Sequence, residues 1–197
     1  MSGYKHIFFD LDRTLWDYDR NARETVKMLM GKTRALQNVD SDSFYNVYDK
    51  HNEEVWVEYL SGNLTKEGLR ILRWKRTIAA FSVDDAPLAE SLSSEFIAVC
   101  PTMPHLIEGT CETLEYLYSK YHLHILTNGF SDIQYTKMKN SGIEKYFRKV
   151  FTSDVIGYCK PDPRIFHYAL SSLNVRKEHV LMVGDEFRTD IDGAIGY

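Results

Sequence analysis

The stretch that most constrains this chain is Ile7-Phe8-Phe9-Asp10-Leu11-Asp12-Arg13-Thr14. An apolar strand runs there, without a turn signal, into two carboxylates one residue apart and then a hydroxyl. Side chains alternate along extended backbone, so Asp10 and Asp12 are expected on one side, at the strand's end. Two like charges about 4 Å apart repel by roughly 4 kcal/mol at an effective dielectric near 20, so keeping both ionised calls for a cation or a shared proton. A divalent metal meets that need. An exposed acidic turn is the plain alternative, and this stretch alone does not separate the two.

Composition narrows the setting. With 197 residues, 44% of them hydrophobic, the chain can bury a sizeable core, as one main domain with room for a smaller inserted one. No run approaches the roughly 18 apolar residues of a membrane span, so the sequence predicts no membrane anchor and a cytoplasmic protein. Cys100, Cys111 and Cys159 are odd in number and widely spaced, which argues against disulfides or a zinc site and for reduced thiols. A net charge of -4 with scattered Lys and Arg provides no basic stripe and argues against a nucleic-acid polymer as the main partner. A small anionic ligand held through a metal stays open.

After Thr14 the periodicity becomes helical. Helices are predicted over Asn21 to Met30, Ser43 to Leu60, Thr65 to about Phe81 and Pro87 to about Val99, with Ser43 and Thr65 as N-caps and Gly31 and Gly62 at left-handed C-terminal positions. Apolar residues recur every three to four positions, as in Phe44, Val47, Tyr48, Val55, Trp56 and Tyr59, so the expected product is a small antiparallel bundle. From Met103 helices alternate with short apolar strands. The sequence predicts a helix from about Thr110 to Tyr121, a strand over 123–126, a helix from Asp132 to Asn140 and a strand over 149–151. A helix from Pro163 to Leu173, capped by Asp162, and a strand over 180–183 follow. Short, continuously apolar strands alternating with amphipathic helices define an α/β fold with a parallel sheet covered on both faces.

Polar residues follow each strand: Asp10-Leu11-Asp12 the first, Thr127-Asn128-Gly129 the second, Gly184-Asp185-Glu186 the last, while the third leads to Lys160-Pro161. Each has an ordinary explanation as a turn or loop. In an open parallel sheet, however, all carboxyl ends lie along one edge, and there these four segments become neighbours.

These segments resemble, in order, the four motifs of the haloacid dehalogenase superfamily: Asp10-Leu11-Asp12-Arg13-Thr14, Thr127, Lys160, and Gly184-Asp185 through Asp190. The helical insertion after the first motif is similar to that family's helical cap. The resemblance implies a Rossmann-like catalytic core of residues 1–16 and 100–197 and a four-helix cap of residues 17–99. Leu15-Trp16-Asp17 and Thr127-Asn128-Gly129-Phe130 further resemble the pyrimidine 5'-nucleotidase subgroup.

By resemblance, Asp10 is the nucleophile that forms an aspartyl-phosphate, and Asp12 the general acid and base. Mg2+ would be held by Asp10, the Asp12 backbone carbonyl and Asp185, with Glu186 and Asp190 in support. Thr127 and Lys160 would stabilise the phosphoryl group, with Thr14, Asn128 and Gly129 as substrate-binding neighbours. Lys66 and Arg70, between the middle cap helices, are candidates for substrate choice. The implied activity is Mg-dependent hydrolysis of a small phosphorylated metabolite, a nucleoside monophosphate, by a monomer or homodimer. A sugar phosphatase or phosphomutase is the alternative within the fold, and a phospho-accepting receiver or a non-catalytic phosphate-binding module the alternative outside it. A dehalogenase is disfavoured, because that chemistry has no need of Asp12 with a metal. Arg13 stands where relatives carry a small residue and is expected to point outward into solvent. Relatives also continue past Asp190 through a further strand and helix, whereas this sequence runs to Tyr197; lack of that strand would expose a sheet edge.

Overall fold

A computed structural model describes residues 3–197 of the chain. It divides into two compact units, one running up to Asp19 and resuming over Pro101–Tyr197, the other comprising Arg20–Cys100.

The first unit is built on a parallel sheet of β1 (His6–Phe9), β2 (His122–Thr127), β3 (Phe147–Thr152) and β4 (Val180–Val183), in the order β3-β2-β1-β4. The chain moves outward from β1 to β2 and β3, then crosses back to place β4 on the other side of β1. Strand order therefore reverses at β1, and the crevice outside such a reversal is where open α/β sheets bind ligands. Register brings the ends level: Phe9 pairs with both Ile125 and Val183, so Asp10 and Gly184 leave the sheet side by side. The Asp10 amide donates to the Val183 carbonyl at 2.9 Å, fixing that adjacency.

The second unit is helical: α1 (Tyr18–Lys32, which begins in the first unit), α2 (Ser41–Leu60), α3 (Lys66–Ala80) and α4 (Ala86–Val99). Phe44, Tyr45, Tyr48, Val55, Leu69, Trp74, Ile78, Leu92 and Phe96 form its buried interior. Tyr48, Trp74 and Phe96 pack as an aromatic trio with centroids 4.7 to 5.5 Å apart. Arg73 is buried among them, donating to Asn52 at 3.0 Å with its guanidinium 5.0 Å from the Phe96 ring. Thr65 caps α3 by accepting from the Gly68 amide, as its residue type predicts. The cap of α2 is Asp40 rather than Ser43, whose own amide is the one capped. Gly31 lies inside the last turn of α1, whereas Gly62 does take a left-handed φ of 77° after α2.

In the first unit the sheet is flanked by α5 (Thr110–Tyr118), α6 (Ser131–Asn140), the single-turn α7 (Ser153–Ile156), α8 (Pro163–Leu173) and α9 (Gly193–Gly196). Helix α8 has the limits its sequence predicts, because Asp162 accepts from the Arg164 amide, Pro163 opens the helix and Asn174 closes it at a φ of 52°. Ile165, Phe166, Ala169 and Leu170 of α8 pack on Phe8, Leu126 and Phe151 of the sheet. Burying side chains of this size is worth about 1.5–3 kcal/mol each, so the packing anchors the strands whose ends carry the polar residues. β2 and β3 extend one to two residues beyond the apolar runs that signal them. Between β4 and α9 the backbone forms a π-helical stretch, Phe187–Asp192.

Candidate active site

Asp10 leaves β1 almost fully buried, at 8% exposure, and Lys160 meets it from the loop before α8. The Lys160 ammonium, 2% exposed, donates to Asp10 at 2.7 Å and to Asp190 at 2.5 Å, so one buried cation is shared by two carboxylates. Burial pushes the Asp10 carboxyl up to about 6; the Lys160 charge opposes the rise, while Asp190 and Asp12 add to it. Burial alone would lower Lys160, but Asp10 and Asp190 outweigh it and hold the ammonium above its ordinary value. Asn128 fastens the Lys160 backbone on both sides, accepting from its amide at 2.7 Å and donating to its carbonyl at 3.0 Å.

Asp190 is 1% exposed, and its second oxygen accepts from the Glu186 amide at 3.2 Å. It can sit there because residue 184 is glycine: a Cβ at Gly184 would land on the Asp190 carboxylate. Asp185 follows at the exposed end of β4 and accepts from the Thr14 hydroxyl at 2.8 Å. Carboxylate oxygens of Asp10, Asp185 and Asp190 lie within 4.8 Å of one another, the one such acidic group among the described residues. An all-oxygen donor set of this kind suits a hard divalent cation such as Mg2+.

Asp12 is held differently from what its spacing suggests. Its carboxylate turns to α6, where Lys137 donates to one oxygen at 2.5 Å and Gln134 to the other at 2.9 Å. The two aspartates thus have a lysine each, so the repulsion predicted between them is met by protein cations as well as by any metal. Lys137 and Gln134 escape the sequence reading because partners across a fold leave no local motif. The available signal is that both polar residues share the buried face of α6 with Met138. Thr127 is buried at the end of β2, and its oxygen accepts from the Gly129 amide at 3.1 Å and from Gln134 at 2.9 Å. Its acceptor side is occupied and its single hydroxyl proton is left to give. Gly129 is required by Gln134, whose amide occupies the space a Cβ would need.

Arg13 takes a left-handed φ of 61°, pairs with Asp19 at 2.9 Å and covers the Tyr18 ring at 4.9 Å. Its half-exposed side chain lies along its own strand-to-helix connection, more engaged than the solvated arginine expected. Lys66 and Arg70 belong to the helical unit, in the first turns of α3.

A Rossmann-like sheet with a buried acid–lysine–acid cluster at its reversal point defines a class of α/β hydrolases. The chain matches the family model of haloacid dehalogenase-like hydrolases over residues 4–196, and it belongs to that family. It is 30% identical over 190 residues to the pyrimidine 5'-nucleotidase YjjG of Escherichia coli, covering 96% of this chain and 80% of the relative. Identity is also 30%, over 96% of this chain and 80% of the relative, with a glyceraldehyde 3-phosphate phosphatase of Methanothermobacter thermautotrophicus. Among solved structures, the magnesium-bound HAD-hydrolase YfnB of Bacillus subtilis superposes with a TM-score of 0.88 at 24% identity, covering 98% of this chain and 85% of that one. That likeness supports the fold. No helix among the described residues is long and apolar enough to cross a membrane.

Proposed function

We propose that this hydrolase removes phosphate from a small phosphomonoester, a nucleoside monophosphate, through an aspartyl-phosphate on Asp10. The observation that carries the proposal is the Lys160 ammonium bound between Asp10 and Asp190 beside Asp185, where a dianionic group would need both a nucleophile and countercharge. Asp10, the Asp12 backbone carbonyl and Asp185 would hold Mg2+, with Asp190 and Glu186 orienting them. When bound, the ion supplies Lewis-acid withdrawal of charge from the phosphoryl oxygens.

The chain's own groups do the rest. An Asp10 oxygen attacks phosphorus as the bond to the leaving oxygen breaks, and Asp12 delivers the proton that oxygen needs. Asp12 then takes a proton from water, whose oxygen attacks phosphorus and releases Asp10 as a carboxylate. The Thr127 hydroxyl donates a hydrogen bond to a phosphoryl oxygen, and Lys160 offsets the charge of Asp10 and phosphate together. The helical unit is assigned substrate choice, with Lys66 and Arg70 as its basic candidates. Nucleotide preference is supported by the Leu15-Trp16-Asp17 and Thr127-Asn128-Gly129-Phe130 stretches and by the similarity to pyrimidine 5'-nucleotidases. A sugar-phosphate monoester is the second reading, favoured by the glyceraldehyde 3-phosphate phosphatase at the same identity.

The test is phosphate release from a panel of nucleoside monophosphates and sugar phosphates with Mg2+, beside Asp10→Asn. Turnover that falls at least about 10³-fold in Asp10→Asn and vanishes with EDTA is the expected result. Equal turnover without divalent metal overturns the mechanism. Stable phosphorylation of Asp10 by a small phosphodonor, without ester hydrolysis, points instead to a receiver.

A further inference from the structure

We propose that Lys137 is the positioning residue for Asp12, an inference that rests on the phosphatase reading of Asp12 above. Asp12 stands on the connection beyond the end of β1, where its backbone bridges to Trp16 of the same connection. A carboxylate there has free side-chain torsions, yet proton delivery to a leaving oxygen requires one orientation. Helix α6 supplies it. Lys137 and Gln134, three residues apart on the same buried face, grip separate oxygens of Asp12 and so fix the plane of the carboxylate from a rigid element.

Lys137 is itself confined. It is 5% exposed, its ammonium lies 4.5 Å from the Trp16 ring centroid and 6.0 Å from that of Tyr18, and its carboxylate partner is Asp12. Burying a long ammonium forfeits hydration and rotamer freedom, which a purely structural position on α6 would avoid with methionine or leucine. The same Gln134 amide that holds Asp12 also donates to Thr127, linking the acid–base group to a phosphate-binding candidate. Lys137 takes no part in the Lys160 cluster. Each of the two aspartates accordingly has its own lysine, one at the nucleophile and one at the proton carrier. A carboxylate has about four acceptor positions, so the two bonds from α6 leave room for the proton that Asp12 must carry.

The experiment separates positioning from support by the leaving group. An alkyl phosphate needs its leaving oxygen protonated; p-nitrophenyl phosphate does not. Lys137→Met should lower kcat/KM about 10²-fold on the alkyl ester and less than about threefold on the aryl ester. Lys137→Arg should recover about tenfold of the loss, and in an Asp12→Asn background Lys137→Met should cost nothing further on the alkyl ester. Equal losses on the two esters, or a loss that adds to that of Asp12→Asn, make Lys137 a structural buttress and overturn the proposal. If Lys137→Met fails to fold, Lys137→Gln, which keeps a polar group at the position, carries the same comparison, with a loss confined to the alkyl ester expected and equal losses overturning it. Wild-type enzyme inactive on both esters refutes the phosphatase reading and this inference with it, an outcome distinct from selective failure of the variants.

Discussion

Gly184 shows how a residue with no side chain can determine a site. It leaves β4 beside Asp10, and the space where its Cβ would stand is filled by the Asp190 carboxylate, which holds Lys160. Gly184→Ala should therefore push Asp190 off Lys160 rather than strain the backbone. Overpacking of this kind costs about 1–3 kcal/mol, to be read as a lower denaturation midpoint in urea, and activity should fall with it. Wild-type stability together with wild-type turnover would show that Asp190 has room to move and that its grip on Lys160 is dispensable. The sequence makes Asp10, Thr127, Lys160, Asp185 and Asp190 legible as candidates because each follows a strand in a fixed order. It does not reveal that Gly184 makes room for Asp190, or that Asp12 faces Lys137, because those relations exist only once distant segments meet.

At the scale of elements, the opposite end of the sheet is as unusual as the acidic one. His6 of β1 and His122 and His124 of β2 lie together there, with His6 and His124 hydrogen-bonded at 3.1 Å and their rings stacked at 5.4 Å. His124 is 1% exposed, and burial lowers it to about 4, with His6, His122, Arg148 and Lys149 adding to the fall. His6 and His122 are lowered too, chiefly by burial. A histidine depressed in the native state binds its proton more readily when unfolded, so stability is full above about pH 6.5 and drains away as pH falls toward 4. His124 alone should remove about 2 kcal/mol by pH 5. Thermal midpoints from pH 7.5 to 5 should fall steeply in the wild type and less so in His124→Phe, whose ring suits the Phe8 and Phe151 contacts. Parallel profiles would place the acid sensitivity elsewhere. None of this is visible in the run over 123–126 that signals β2, because His124 reads there as one polar interruption of an apolar strand and His122 as its flank. Element type was legible where local chemistry decides it, as in α8, and limits were not where tertiary contacts do, as in β3 and the π-helical stretch after Glu186.

At the scale of the molecule, one unit is continuous in sequence and the other is interrupted by it. Arg20–Cys100 carries its own buried set, from Phe44 through Phe96, its own caps at Asp40, Thr65 and Asp85, and a buried Arg73–Asn52 bond internal to the bundle. Its surface ion pairs, such as Arg23 and Lys27 with Asp42 and Arg76 with Glu58, are likewise internal. A segment that carries its own buried core, the caps of three of its helices and these ion pairs should fold when excised, although domains of this size are only marginally stable. Residues 20–100 produced alone should thus give a helical circular dichroism spectrum and a cooperative thermal transition, with a midpoint below that of the whole chain. Asn52→Leu in that fragment should lower the midpoint further, since it leaves the Arg73 guanidinium buried without its acceptor. A fragment that is unfolded by the same measurement would mean that the bundle depends on the α/β unit for its structure. The segment would then be an extension of one cooperative domain rather than an inserted one.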